Sequence, residues 1–296
     1  MLSKSALAFA SFLVLSLAAT KVAVLVARRY GILDLPDERK VHLSPVPRNG
    51  GLAIYASLLL ATVWQQNREL RAPFLIGSSL IFLVGLADDL VGLRAKVKLI
   101  FQILSSLLAA APLMDVGVLE YALGALWLLS MSNAYNLIDG VDGLSLSLFA
   151  VSSATLWVTG SLNSVFAASM LGMAAGVLFY NKPKAAIFLG DSGSLLLGFT
   201  MGWTSGISAL GAGVSFDRLV WLLAFGGVPM LDLAFAVVRR AATGRHIFSP
   251  DRGHIHHRLM DLGLTHPSIV LILSSAHALL HAALLIWKRT SSWGMS

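Results

Sequence analysis

The chain of 296 residues is 56% hydrophobic and only 12% charged, with a mean hydropathy of +0.77. Soluble domains carry about 25% charged residues, so lipid is the expected solvent for most of the surface. Cysteine is absent, which excludes disulfides and thiolate metal sites. The net charge of +7 sits in short loops and not on one amphipathic face, which argues against a nucleic-acid partner.

Ten apolar runs follow in chain order, near 5–27, 49–66, 72–87, 97–112, 117–133, 143–159, 163–180, 186–206, 217–238 and 267–287. Runs of about 20 such residues are long enough to cross a hydrocarbon core of roughly 30 Å. They predict an all-α, polytopic membrane bundle of about ten transmembrane helices, one membrane-embedded unit over 1–296. The first run could be a signal peptide, with "LSLAATK" as its cleavage site. Its apolar stretch is too long for that, and Arg28 and Arg29 follow it instead of preceding it, so a retained helix is expected. Loops 28–48, 88–98, 133–142, 181–185 and 239–266 hold fifteen of the 22 basic residues; the opposite side holds six, and Lys21 lies within the first run. The positive-inside rule makes the first set cytoplasmic and both termini extracytoplasmic.

Four polar motifs fall on that face. "GLADDLVGLRAKVKL" (85–99) ends the third run with Asp88 and Asp89 and adds Arg94, Lys96 and Lys98. An Asp pair at a helix end is ordinarily a solvated cap. Adjacent carboxylates can also raise one another's pKa, leaving one able to take a proton, or hold a hard cation. "NAYNLIDGVDGL" (133–144) has the composition of a turn. Yet Asn136, Asp139 and Asp142 fall at i, i+3 and i+6, so a helical turn would stack their oxygens on one side, a set suited to Mg²⁺.

"NKPKAAIFLGDSGSLLLG" (181–198) carries Asp191 about one turn into the eighth run. An acid inside an apolar segment is costly and functional by default. The glycines there lack the spacing of a phosphate loop and suit close helix packing; Phe188, taken alone, reads as core. "HIFSPDRGHIHHRL" (246–259) carries His254, His256 and His257 in a loop shared with Arg245, Arg252 and Arg258. Zinc would seldom be ringed by so many cations, whereas phosphate suits them. The residues therefore describe a cytoplasm-facing site at the lipid boundary, holding Mg²⁺ and phosphate, for a soluble phosphorylated donor and a lipid phosphate acceptor. An ion-coupled transporter is the competing class. It would bury its acids near the midplane on paired repeats, and no repeat is visible here.

These blocks, with "PDERKVHLSPVPRNGG" (36–51), resemble the polyprenyl-phosphate N-acetylhexosamine-1-phosphate transferases, and the "SPDRGHIHHRL" form is similar to the branch using UDP-GlcNAc. The resemblance implies transfer of a sugar-1-phosphate, GlcNAc-1-phosphate for this branch, from a UDP-sugar to undecaprenyl phosphate, releasing UMP. That step would start a lipid-linked envelope glycan, such as an O-antigen or lipopolysaccharide, at the cytoplasmic face of the bacterial inner membrane. Another UDP-N-acetylhexosamine, such as UDP-FucNAc or UDP-QuiNAc, would use the same chemistry.

Carried over by position, Asp191 and Asn136 are the implied ligands of Mg²⁺, with Mn²⁺ as a substitute. Asp88 and Asp89 match an acidic pair that deprotonates the lipid phosphate or holds the cation, and Asp139 and Asp142 match acids of catalysis or nucleotide binding. Lys98 matches a basic residue at the pyrophosphate, and Asn181 and Phe188 match nucleotide contacts. Arg252, His254, His256 and His257 match a loop closing over the phosphates. The expected partners are the UDP-sugar, undecaprenyl phosphate and membrane lipid, with no nucleic acid; a homodimer is one assembly open to the chain. The branch often has eleven spans, one more than the ten read here.

Overall fold

A computed structural model describes residues 3–36, 44–64, 68–160, 163–244 and 253–290. Arg252, with Arg39, Lys40 and Arg245, lies outside the described residues. The helices are α1 (Lys4–Tyr30), α2 (Gly50–Ala61), α3 (Arg68–Val91), α4 (Ala95–Ala110), α5 (Val118–Ile138), α6 (Leu144–Thr159), α7 (Ser164–Asn181), α8 (Gly190–Leu210), α9 (Phe216–Ala242), α10 (Ile255–Asp261) and α11 (His266–Thr290). Every one except the seven-residue α10 falls on an expected apolar run. Among the described residues, six helices are long and apolar enough to cross a membrane: α1, α3, α4 with the turn that continues it to Asp115, α7, α9 and α11. Helices α2 and α6 are apolar but shorter. The chain is thus a helical membrane protein. A two-residue antiparallel pairing, β1 (Leu33–Asp34) with β2 (Val46–Pro47), is the small addition to an otherwise helical fold.

Helix α8 is the centre of the bundle. Seventeen of its 21 residues are buried, as expected of a helix that is apolar or small on every side. It packs against α5, α3, α2 and α9, and its glycines and serines let neighbouring backbones come close. A Cβ on Gly198 would lie 2.2 Å from the Met131 carbonyl oxygen of α5. Near the start of α8, a Cβ on Gly85 of α3 would lie 2.5 Å from Ser192 Cα, and one on Gly51 of α2 would lie 2.6 Å from Gly193 N. Those contacts seat the first turn of α8, and with it Asp191, between α2 and α3.

Helix α9 breaks at Gly227, whose φ of 40° and ψ of −132° are open to glycine, two residues before Pro229. A side chain there would collide with His277 of α11, since a Cβ would sit 2.3 Å from its Nδ1. The Ser152 hydroxyl of α6 lies 2.9 Å from His277 Nε2 and 3.1 Å from His281 Nε2. These three buried polar side chains bond one another where hydrocarbon offers no water, although His281 Nδ1 is left without a hydrogen-bond partner among the described residues. The second half of α9 then runs toward the face that carries the polar motifs.

Candidate active site

The ends of α5 and α8, the β-pairing and the segment 184–189 surround a cleft of about 830 Å³, closed on one side by His257, Met260 and His266. Asp191 is presented to it by a cap that crosses the bundle. Asp89 Oδ1 accepts from the Asp191 amide at 2.8 Å, and Oδ2 accepts from the Ser192 amide at 3.0 Å and the Ser192 hydroxyl at 2.7 Å. A carboxylate there satisfies the orphan amides of the first turn and complements the helix dipole. Gly190, at φ 69°, makes the approach; a Cβ on it would run into the Asp89 carboxylate at 2.4 Å.

Asp191 is held from two sides. Lys98 Nζ donates to its Oδ2 at 2.5 Å and to Asp88 Oδ2 at 3.2 Å, while Asp88 Oδ1 accepts from the Leu93 amide at 2.8 Å. Arg48 places Nη2 3.7 Å from Asp191 Oδ1, Nε 3.3 Å from Asp89 Oδ1 and Nη1 3.8 Å from Asp34. Residues from β1, the turn after β2, α3, α4 and α8 thus join in one charge network. The adjacent aspartates do not act as a unit: Asp88 faces Lys98, and Asp89 caps another helix. Asp88, Asp89 and Lys98 stand behind the cleft wall, whereas Arg48 and Asp191 line it.

Asn136, Asp139 and Asp142 all line the cleft, but not as one helical stack. Helix α5 ends at Ile138 and Asp139 is its cap residue, at φ −74° and ψ 26°. Two glycines within the next four residues end the helix, so Asp139 and Asp142 project from a turn. Asn136 donates to Ser194 Oγ at 2.9 Å. Asp139 Oδ1 accepts from Ser145 Oγ at 2.5 Å. Burial, with Asp191, Asp142 and Asp89 nearby, outweighs that hydrogen bond and pushes its carboxyl up to about 8. Asp142 Oδ2 accepts from the Ala185 amide at 3.1 Å. Asn181 is buried; its Oδ1 accepts from the Gly143 amide and its Nδ2 donates to the Ile187 carbonyl, which ties the turn after α5 to the segment before α8. Phe188 lines the cleft, anchored by its amide to the Pro47 carbonyl at 2.8 Å.

The histidines divide by role. His254 Nδ1 lies 2.8 Å from Asp232 Oδ2, and the Ile255 amide donates to Asp232 Oδ1 at 2.8 Å. His256 is buried against Gly140, where a Cβ would lie 2.3 Å from its Nε2. Burial and the adjacent His257 lower its pKa to about 4, so the ring is neutral near pH 7. His257 is the member of the trio that lines the cleft. Two residues of this site escaped the sequence reading. Arg48 lies in the loop 28–48, where the charge count marks it only as one of fifteen basic residues on that face. Asp232 is a buried acid inside an apolar run, the same signal that singled out Asp191.

Among the described residues, no three His, Asp or Glu side chains surround one metal-sized point. The donors near Asp191 are carboxylate and amide oxygens, the hard ligands of Mg²⁺ or Mn²⁺. Mg²⁺ commonly needs only one or two protein carboxylates, completing its shell with phosphate and water. The residues present therefore fit such an ion.

Comparison with known proteins bears on the family of the chain. The family model described as glycosyl transferase family 4 matches residues 72–209. A Bacillus subtilis protein named probable undecaprenyl-phosphate N-acetylglucosaminyl 1-phosphate transferase is 33% identical over 97% of this chain and 86% of its own length. Decaprenyl-phosphate N-acetylglucosaminephosphotransferase of Mycobacterium tuberculosis is 33% identical over 86% of this chain and 75% of its own. Undecaprenyl-phosphate alpha-N-acetylglucosaminyl 1-phosphate transferase of Thermotoga maritima is 32% identical over 82% and 78%. Similarity of that extent, running from the first helix through the histidine loop, makes the chain a member of glycosyl transferase family 4.

Proposed function

We propose that the protein transfers GlcNAc-1-phosphate from UDP-GlcNAc to a polyprenyl phosphate, undecaprenyl phosphate by the reading its motifs support, and releases UMP. One observation carries this reading. Asp191 opens onto a cleft of about 830 Å³ while Lys98 and Arg48 hold its two oxygens from behind and beside. That arrangement suits a diphosphate that must shed charge as one of its bonds breaks. The lipid phosphate oxygen attacks the phosphorus that bears the sugar; the bond to the bridging oxygen breaks, and that oxygen leaves with UMP. A phosphate monoester is already a nucleophile and needs at most one proton removed, so direct attack is the simpler course.

A divalent ion held by Asp191 and Asn136 would neutralise charge across the diphosphate when bound. Arg48, on the cleft wall, is placed to stabilise oxygens on which charge develops, while Lys98 acts from behind by holding Asp191. Asp139, its carboxyl pushed up to about 8 by burial and the neighbouring carboxylates, offers a hydrogen bond to a phosphate or sugar oxygen. His257 and the α10 segment cover the cleft and limit water. All of this belongs on the cytoplasmic face of a bacterial inner membrane, in a bundle of ten crossings with both ends outside.

The test is UMP release by membranes containing the full chain, supplied with undecaprenyl phosphate, Mg²⁺ and a panel of UDP-sugars. UDP-GlcNAc is expected to be used best, and chelation to abolish the reaction. Asp191→Asn is expected to lower the rate by at least about a hundredfold, as loss of a charge-stabilising group does, with the fold intact. Full activity in that variant would overturn the metal assignment. Turnover of no UDP-sugar would overturn the function.

A further inference from the structure

Lys184 has φ 67°, the left-handed region, and is the one non-glycine residue with positive φ among the described residues. A side chain there costs conformational energy that glycine or asparagine would largely avoid. The framework imposes it. The Lys182 amide donates to the Leu178 carbonyl and the Ala186 amide to the Tyr180 carbonyl, both at 2.8 Å. Just beyond, the Ala185 amide is fixed to Asp142 and the Ile187 carbonyl to Asn181. A residue that keeps a bulky side chain under such constraint points to use of that side chain.

That side chain borders the cleft. Arg48 and Lys184 are the Lys and Arg residues among the described ones that line it. Arg48 already lies within 4 Å of three carboxylates, so most of its charge is answered by the protein. Lys184 makes no ion pair with a carboxylate among the described residues. A cation kept at a strained position in a cleft, with no ion pair to a carboxylate among the described residues, can answer an anion brought by a ligand. Its wall carries Asp142, Asn181 and Phe188, whereas Lys98 and Asp88 stand on the far side of Asp191.

We propose that Lys184 is a donor-binding residue whose ammonium takes the phosphate that leaves as part of UMP. This rests on the transferase reading given above. The experiment compares Lys184→Asn, which tolerates the backbone but lacks charge, Lys184→Arg, which keeps charge, and Lys184→Gly, which removes both strain and side chain. In Lys184→Asn, the KM for the UDP-sugar and the inhibition constant of UMP should rise about tenfold, the loss of one charge-assisted hydrogen bond. The change in KM should exceed that in kcat, and the KM for the lipid phosphate should stay within about twofold. Lys184→Arg should restore donor affinity. Lys184→Gly should share the affinity defect yet melt at a higher temperature. Unchanged donor KM and UMP inhibition in Lys184→Asn overturns the proposal, and so does a shift confined to the lipid phosphate. Stabilisation of the full chain by UMP, read by thermal melting, tests the same contact without turnover. A wild-type chain that UMP stabilises more than it does Lys184→Asn, but that turns over no UDP-sugar, would overturn the transferase reading and leave the lysine's role standing.

Discussion

Asp139 shows how a fold changes what a residue can do. As a sequence position it is one acid among several; in the structure its carboxyl is pushed up to about 8 by burial and by three neighbouring carboxylates. Between its ordinary pKa of 3.8 and about 8, the folded protein holds a proton that the unfolded chain has lost. Stability from this group therefore falls as pH rises through that window and is flat above it, by up to about 1.4 kcal/mol per pH unit. Asp139→Asn, which is neutral at every pH, should flatten that slope. The variant should exceed wild type in stability at pH 8 and approach it near pH 4, measured by thermal or denaturant unfolding in detergent. An equal slope in both would mean that Asp139 is ionised. His256 runs the other way: held neutral to about 4, it costs stability as pH falls from its ordinary 6.5 toward that value, because the unfolded chain takes the proton first. Both residues were legible in the sequence as candidates. Their neutral states were not, since the carboxylates of Asp191 and Asp89 beside Asp139, and Gly140 against His256, come from segments that spacing alone does not bring together.

At the scale of the element, the first turn of α8 decides the site. Asp88 and Asp89 read from sequence as a pair at the end of one helix. The cap reading was the right kind of role for Asp89, but its target lies 102 residues further along. Local patterns cannot name such a partner, because the partner is chosen by tertiary packing. Asp89→Asn offers one acceptor oxygen where three donors converge and turns an amide NH₂ toward backbone N–H groups. Breaking a buried, hydrogen-bonded charge costs about 3–5 kcal/mol, so this variant should lose both thermal stability and most activity, although Asp89 does not line the cleft. Gly85→Ala acts on the same turn by volume. Its new methyl would meet the Ser192 backbone at 2.5 Å, and backbone cannot rotate away as a side chain can. Overpacking of this kind costs about 1–3 kcal/mol. A lower melting temperature with a lower rate of UMP release is expected; wild-type values for both would show that α3 and α8 can separate without disturbing Asp191.

For the whole molecule, hydropathy was a good guide to the helices and a poor guide to how they are joined. Each expected run contains one helix, because a chain without water must satisfy its backbone internally. The break in α9 was written in the sequence as Gly226–Gly227–Val228–Pro229 but is invisible to an average over 20 residues. Asp232, one turn beyond Pro229, gains its meaning only when His254 arrives 22 residues later. Orientation is a separate matter, and it rests on the count of basic residues. The absence of cysteine makes it directly testable, since each introduced thiol reports alone. With ten crossings, Ser5→Cys at the start of α1, Val214→Cys between α8 and α9, and Arg289→Cys at the end of α11 should react with an impermeant maleimide in spheroplasts. Arg94→Cys, in the exposed turn between α3 and α4 that backs the charge network, should react only after the membrane is opened. Labelling of Arg94→Cys in sealed spheroplasts would put the site on the outer face, away from the cytoplasmic pool of nucleotide sugars. Labelling of only one of the two end positions would make the number of crossings odd.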